Sequence, residues 1–175
     1  MKKYIFIVLL LALSLPMTAQ IISSASVDPK VDGVFGSQEY PTMQELKGMK
    51  LGYALSNDGN TLYFALQAPT NGWVSVGLGS KKMQGAHIVM GFDALTSQTI
   101  SEETGKGHKI NPSKDKIVKL QAVKESGDET TLEFSVPSSL YASGGELPLI
   151  IAYGKKDNLS SKHSKYASYT IAYNL

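Results

Sequence analysis

The 175-residue sequence contains no cysteine and no arginine. Without cysteine the chain can form no disulfide, thiolate zinc site, iron–sulfur cluster or covalent c-type haem attachment, and it has no cysteine nucleophile. Without arginine, all 17 basic residues are lysine, which lacks the planar fork that binds phosphate and guanine through two parallel hydrogen bonds. Nucleic acid is therefore not expected as a partner.

Sequence patterns of hydrolytic enzymes are also missing. The chain has no HExxH motif, no glycine-rich loop between a strand and a helix, and no sequence context for a Ser-His-Asp triad. The adjacent carboxylates Glu102 and Glu103 lie in a polar stretch, where a solvated surface is their expected role. We therefore do not expect an enzyme.

The N-terminus has the pattern of a secretory signal peptide. Two lysines precede an apolar run from Tyr4 to Leu15, and a small residue, Ala19, offers a cleavage site. The run is shorter than the roughly 20 residues that span a bilayer. We expect a signal peptide at 1–19 and one domain at 20–175, secreted or periplasmic and without a membrane span. Those two lysines account for the formal net charge of +2, so the mature chain is formally neutral.

Apolar residues alternate with a period of two along most of the mature chain, and turn residues separate the runs. This pattern predicts an all-β fold, an antiparallel two-sheet β-sandwich of the immunoglobulin-like kind. Ser101–Asp115 is too polar for a core and is predicted to be a surface loop over a site. The predicted strands are an edge strand and turn at Val31–Tyr40, two hairpins at Lys50–Ser56 with Thr61–Ala68 and at Lys116–Lys124 with Thr130–Val136, a pair within Trp73–Asp93, a strand buried on both sides at Leu147–Gly154, and a closing strand at Tyr166–Tyr173.

One turn, GSKKMQGA, carries unusual side chains between the two strands of Trp73–Asp93. Met83 and His87 stand four residues apart where the first strand gives way to the second. A thioether and an imidazole in that position could face a cavity as metal ligands. Taken alone, a methionine more often packs against neighbours and a histidine in a polar loop is usually solvated.

The turn and a later loop together resemble the DOMON family, extracellular β-sandwich domains related to the cytochrome domain of cellobiose dehydrogenase. The likeness rests on GSKKMQGAHIVMGF and AYGKKDNLSSKHSKY and extends through LYFALQAPTNGWVSVGLGS, TLEFSVP and PLIIAYG. The opening DGVFGSQEY is also similar to the first strand of family 9 carbohydrate-binding modules. Members of the DOMON family bind b-type haem or sugar. In its haem binders, a methionine of the MxGA turn and a histidine of the late loop are the axial ligands, and the matching residues here are Met83 and His163.

The resemblance implies a non-covalent haem b held at its iron by Met83 and His163, with Trp73 beside it. Such ligation fills both axial positions and raises the reduction potential, which suits electron transfer. A monomer exchanging electrons with a redox protein or a quinone-linked donor or acceptor is expected. Many members carry aspartate where this chain has His87, which is expected either to support the ligands or to replace Met83.

A sugar-binding sandwich without haem is the alternative, and a secreted sandwich with no ligand is a third possibility. Sugars are bound by exposed aromatic and polar side chains, and the available aromatic residues are Trp73, Tyr166, Tyr169 and Tyr173. A visible absorption spectrum would separate the haem hypothesis from both others.

Lysines flank both candidate ligands in the sequence. If the two loops converge, these lysines form a positive rim that would attract an acidic partner. The lysines are Lys81, Lys82, Lys155, Lys156, Lys162 and Lys165.

Overall fold

The computed structural model describes residues 21–36, 38–94, 97–141 and 145–172. The expected signal peptide and Tyr173 lie outside these ranges. The strands are β1 (Thr42–Leu46), β2 (Met49–Leu55), β3 (Thr61–Ala68), β4 (Val74–Leu78), β5 (His87–Ala94), β6 (Ser97–Lys106), β7 (Lys109–Pro112), β8 (Leu120–Ser126), β9 (Glu129–Pro137), β10 (Glu146–Tyr153) and β11 (Lys165–Ala172). Among the described residues, no helix is long and apolar enough to cross a membrane.

The strands form two antiparallel sheets that pack face to face. One sheet has five strands in the order β1-β2-β3-β9-β8, and the other has six in the order β11-β10-β4-β5-β6-β7. The predicted antiparallel two-sheet sandwich is confirmed. Both predicted hairpins are present, as β2 with β3 and β8 with β9.

Alternating side chains of both sheets meet in one core. On β3 and β9 the residues of one parity are fully buried, and Phe64 and Phe134 stack with their ring centroids 5.2 Å apart. On the facing sheet the core side chains come from β4, β5, β10 and β11, including Val76, Leu149 and Ile171. Because the period of two sends every second residue outward, β5 and β10 also present apolar side chains on the opposite face of that sheet.

The segment before β1 covers the outer face of the five-stranded sheet, and the described part of Val31–Tyr40 does not form the predicted edge strand. Its backbone amides at Asp32 and Gly33 donate to one carboxylate oxygen of Glu133, at 3.0 and 2.8 Å, while the Tyr40 hydroxyl donates to the other at 2.7 Å. A buried carboxylate therefore takes the hydrogen bonds that a neighbouring strand would otherwise have accepted.

The polar stretch Ser101–Asp115 is not a loop. It supplies the end of β6 and all of β7, which form a hairpin on the edge of the six-stranded sheet. Glu102 and Glu103 are only 8% and 7% exposed, so the expected solvated role is wrong. Strand pairing satisfies the backbone, and local hydrogen bonds, such as the one from Ser101 to Glu103, satisfy the carboxylates. Polarity alone could not predict either effect.

Candidate functional site

A cleft of about 1090 Å³ opens on the outer face of the six-stranded sheet. Its floor consists of outward-facing side chains of β4, β5 and β10, among them Ile88, Met90 and Ile150. Gly77 lies in the floor where there is no room for a side chain, because a Cβ there would lie 2.8 Å from Ile150 Cγ2 and 3.1 Å from Ala86 Cβ. Ligand sites are usually concave, mostly apolar and about 300–1,000 Å³ in volume. The cleft therefore suits a large organic ligand.

Met83 forms part of one wall of the cleft, in the turn between β4 and β5. The turn is held by the Ser80 hydroxyl, which donates to the Gln84 carbonyl at 3.0 Å, and by the Ala86 amide, which donates to the Met83 carbonyl at 3.2 Å. Gly85 has a φ of +79°, a conformation that favours glycine. The half-buried Met83 side chain packs against the apolar floor.

The tip of the β6–β7 hairpin docks against this turn and extends the same wall. Backbone hydrogen bonds join Gly85 to the Gly105 carbonyl and Gly105 to the Ala86 carbonyl, both at 3.0 Å. The Gly107 amide donates to the Gln84 side chain at 2.6 Å. Gly105 must be glycine, because a Cβ there would overlap the Met83 carbonyl oxygen. This docking brings the hairpin tip to the cleft.

His163 lines the cleft from the loop between β10 and β11, which begins at the other end of the sheet. Trp73 anchors this loop: its indole N–H donates to the Ser161 hydroxyl at 2.8 Å, and its carbonyl accepts from the Gly154 amide at 2.9 Å. The exposed His163 ring lies 5.1 Å from the ring of Tyr166, centroid to centroid. Met83, His163 and Trp73 therefore line one cleft, as predicted from the resemblance.

His87 does not line the cleft. Because β5 begins at His87, its side chain shares the inward parity of Val89, and its neighbours Ile88 and Met90 face the cleft. His87 Nε2 lies 2.9 Å from Glu102 Oε2 in a half-buried pair inside the sandwich. The prediction that groups His87 with Met83 assumed a strand that starts as early as Met83, whereas β5 begins at His87.

The cleft is lined by cationic side chains and by no carboxylate among the described residues. Of the lysines predicted to form a rim, Lys81, Lys82 and Lys162 line it, and Lys109 from the β6–β7 hairpin joins them. Lys155, Lys156 and Lys165 are exposed outside the lining. In the described part of the chain, no group of three or more histidine or acidic side chains is arranged to hold a metal ion.

The DOMON domain model matches residues 45–147, more than half of the chain. The chain belongs to the DOMON domain family. The matched region of this DOMON domain includes Met83 and the β6–β7 hairpin but ends before the loop that carries His163.

Two solved structures share the fold of this DOMON domain. The cytochrome b domain of pyranose dehydrogenase from Coprinopsis cinerea aligns with a TM-score of 0.59 at 15% identity, covering 74% of this chain and 80% of that one. The cytochrome domain of Myriococcum thermophilum cellobiose dehydrogenase aligns with a TM-score of 0.58 at 16% identity, covering 81% of each chain. At these identities the likeness concerns the fold alone. A comparison with curated protein sequences finds no match.

Sequence reasoning missed one histidine of the site, as well as Lys109 and the apolar floor. His108, at the tip of the β6–β7 hairpin, lines the cleft on the same wall as Met83. The only available signal was the run of glycines around it, and the surrounding charge made the segment resemble a loop. The sequence also predicted that this segment lies over a site, and its residues His108, Lys109 and Ile110 line the cleft.

Proposed function

We propose that this DOMON domain binds one non-covalent haem b in the cleft, with Met83 and His163 as axial ligands, and that it transfers electrons. One observation carries the proposal. The fold brings a thioether and an imidazole, about eighty residues apart in the sequence, onto one apolar cleft from opposite ends of a sheet. We propose no catalytic step for the domain itself. Its proposed role is that of an electron carrier.

The residues of the cleft fit a haem. Without cysteine the group must be held by ligands and by apolar contact, and the floor supplies Ile88, Met90, Ile150 and Ala152. A volume of about 1090 Å³ is at the upper end of the usual range for ligand sites. A bound haem would supply one-electron chemistry, and methionine and histidine ligation would raise its reduction potential.

The chain contributes position and environment. The Met83 turn and the β6–β7 hairpin hold each other through backbone hydrogen bonds, while Trp73 and Ser161 hold the opposite loop. Apolar side chains on the floor exclude water from the bound group, and the lysines at the mouth can pair with its propionates. Ligands on rigid elements lose little conformational freedom when they bind.

The cationic mouth favours an acidic redox protein as the electron-transfer partner, and a quinone-linked donor or acceptor is the alternative. Lys81, Lys82, Lys109 and Lys162 present flexible point charges there. Such charges speed encounter without locking the complex. We also propose that the protein works as a monomer. Because residues 1–19 have the pattern of a signal peptide, we propose that it acts outside the cytoplasm, in the periplasm or secreted.

Titration of the purified protein with haemin tests the proposal. We expect saturation at one haem per chain, a sharp Soret band, split visible bands after reduction, and methionine-to-iron absorption at the red end of the oxidised spectrum. His163→Ala should weaken haem binding by more than the roughly 10–100-fold that loss of an outer-shell partner costs. Met83→Leu should remove the red absorption.

Met43→Leu is the matched control, because Met43 is a 46% exposed methionine on β1, in the other sheet. Its spectrum should equal that of the parent protein. A protein that takes up no haem, or one whose spectrum is unchanged by both His163→Ala and Met83→Leu, would overturn the proposal.

One observation favours sugar binding as a second candidate. Tyr166, 50% exposed, lies in the cleft beside polar side chains of the late loop and could stack on a sugar ring. Trp73 is less suited, since it is only 5% exposed and its indole N–H is already bonded to Ser161. Calorimetric titration of haem-free protein with oligosaccharides checks this function. Sugar binding that Tyr166→Ala abolishes, in a protein that takes up no haem, would establish it.

A further inference from the structure

His108 is the cleft-lining histidine that the proposed ligand pair does not use. It is exposed at the hairpin tip between β6 and β7, and its ring makes no hydrogen bond or ion pair among the described residues. The adjacent Gly107 has a φ of +61°, which defines the tight turn that presents the side chain. The structure therefore offers an imidazole at the cleft that no structural role accounts for.

His108 and Met83 belong to one structural unit. The backbone bonds at Gly105 and the bond from the Gly107 amide to Gln84 fasten the hairpin tip to the turn that carries the methionine. Gly105 lies in van der Waals contact with Met83, with no room for a Cβ between them. His163, by contrast, approaches from the loop after β10. The cleft thus has two candidate iron ligands on one wall and one on the other.

We propose that His108 is a second iron ligand of this site, able to replace Met83 opposite His163. The inference rests on the proposed haem function and names a residue that this function did not require. Imidazole is a good ligand for iron in either oxidation state, whereas the softer thioether favours the reduced metal. Two ligands of different softness on one wall give the site two ligation states, methionine with histidine and histidine with histidine.

The exchange is a simple ligand substitution. The Met83 thioether would leave the iron and a neutral His108 imidazole would take its place, without transfer of an electron or a proton. Because the hairpin tip lies at the exposed mouth of the cleft, the substitution requires no change in the core of the sandwich. The histidine pair lowers the reduction potential relative to the methionine and histidine pair.

The test compares haem-loaded proteins that carry no histidine tag: the parent, Met83→Leu, His108→Ala and the double variant. Absorption and electron paramagnetic resonance spectra report the ligation and spin state, and a redox titration reports the potential. We expect Met83→Leu to lose the red absorption, to stay low-spin and six-coordinate, and to have a lower potential. The double variant should become high-spin. His108→Ala alone should keep the parent ligation.

Lys106→Gln combined with Met83→Leu is the matched control, because Lys106 is an exposed lysine of the same hairpin that does not line the cleft. That protein should stay low-spin. A parent with the methionine signature whose Met83→Leu variant is already high-spin would overturn the inference and leave the proposed function standing, and so would a double variant that stays low-spin. A parent that takes up no haem would overturn both.

Discussion

Two buried carboxylates of the sandwich are held in opposite ways. Glu133 is 0% exposed, and burial raises its pKa above the ordinary value despite the hydrogen bonds from Tyr40 and two backbone amides. At Glu102, burial also raises the pKa, but the amides of Ile117 and Val118 together with His87 outweigh it, so the pKa lies below the ordinary value. Each carboxylate has three hydrogen-bond partners, so the direction of the shift depends on the extent of burial, which is complete at Glu133, and on the sign of the neighbouring charge, Glu39 beside Glu133 and His87 beside Glu102.

These directions predict opposite pH dependences for two matched variants. Because the pKa of Glu133 is raised in the folded protein, its contribution to the free energy of unfolding is fully present below about pH 4.5. This contribution is lost as the pH rises through the pKa of the folded state. Glu133→Gln should therefore gain stability relative to the parent between about pH 4 and 7. Glu102 contributes above about pH 4.5 and loses this contribution as the pH falls. Glu102→Gln should therefore cost about 1–3 kcal/mol at pH 7 and progressively less in acid.

Urea unfolding of the three proteins at several pH values between 4 and 7 measures these differences. The two variants act as controls for each other, since both replace a buried glutamate by its neutral isostere. For each variant, the difference in free energy of unfolding from the parent is plotted against pH. If the two plots have the same slope, the assigned directions of the pKa shifts are wrong.

At the scale of elements, the position of Met83 depends on contact between the β4–β5 turn and the β6–β7 hairpin. Neither element belongs to the main core. β6 of the hairpin pairs with β5, and hydrogen bonds join the hairpin tip to the turn. Gly105 is the closest contact between them, and its missing side chain is what permits the approach. A small change at Gly105 should displace the turn that carries Met83 and leave the sandwich intact.

Gly105→Ala tests this dependence. The added Cβ would overlap the Met83 carbonyl, so we expect haem affinity to fall at least about tenfold, comparable to the loss of an outer-shell partner. Gly107→Ala is the control in the same hairpin. Its Cβ meets nothing within 4 Å, although its φ of +61° costs about 1–2 kcal/mol with a side chain. Haem titration together with thermal unfolding separates the two effects, and equal haem affinity in both variants would contradict the expected contact.

At the scale of the whole molecule, the two outer faces of the sandwich differ. The segment before β1 covers the five-stranded sheet, whereas the six-stranded sheet keeps an open cleft with a cationic mouth. Because residues 20–175 carry no formal net charge, the cations at the mouth are a local feature and not part of a general positive charge. Such a field should act on charged partners at short range.

Salt dependence tests the role of this field. In the haem-loaded protein, electron transfer to an anionic acceptor such as hexacyanoferrate should slow as ionic strength rises, because exposed charges are screened beyond about 8 Å at physiological salt. A cationic hexaammineruthenium complex should show the opposite trend. Replacing four cleft lysines by glutamine should flatten both trends while keeping the Soret band. The four are Lys81, Lys82, Lys109 and Lys162.

The control replaces four lysines that do not line the cleft, and it should behave as the parent protein does. These are Lys30, Lys114, Lys119 and Lys124. Rates in the parent protein that do not respond to salt would show that the cationic mouth has no steering role.

The sequence by itself determined the sandwich, because alternation of side chains is a local property. Leu62, Phe64 and Leu66 are buried on one face of β3, as their spacing predicted, and the turn residues between the runs predicted both hairpins. The Met83 turn and the His163 loop were also identified from sequence, through the family resemblance. Polar stretches were less predictable: Val31–Tyr40 forms no strand in its described part, and Ser101–Asp115 forms strands instead of a loop.

Only the tertiary structure decided which side chains meet. Met83 and His163 line one cleft because two loops from opposite ends of one sheet fold over its outer face, and no spacing in the sequence specifies that. His87 is separated from Met83 by a turn and takes the inward parity of β5, whereas His108 reaches the cleft because Gly105 lets the hairpin dock. These outcomes depend on contacts between residues distant in the chain, which a local pattern cannot encode.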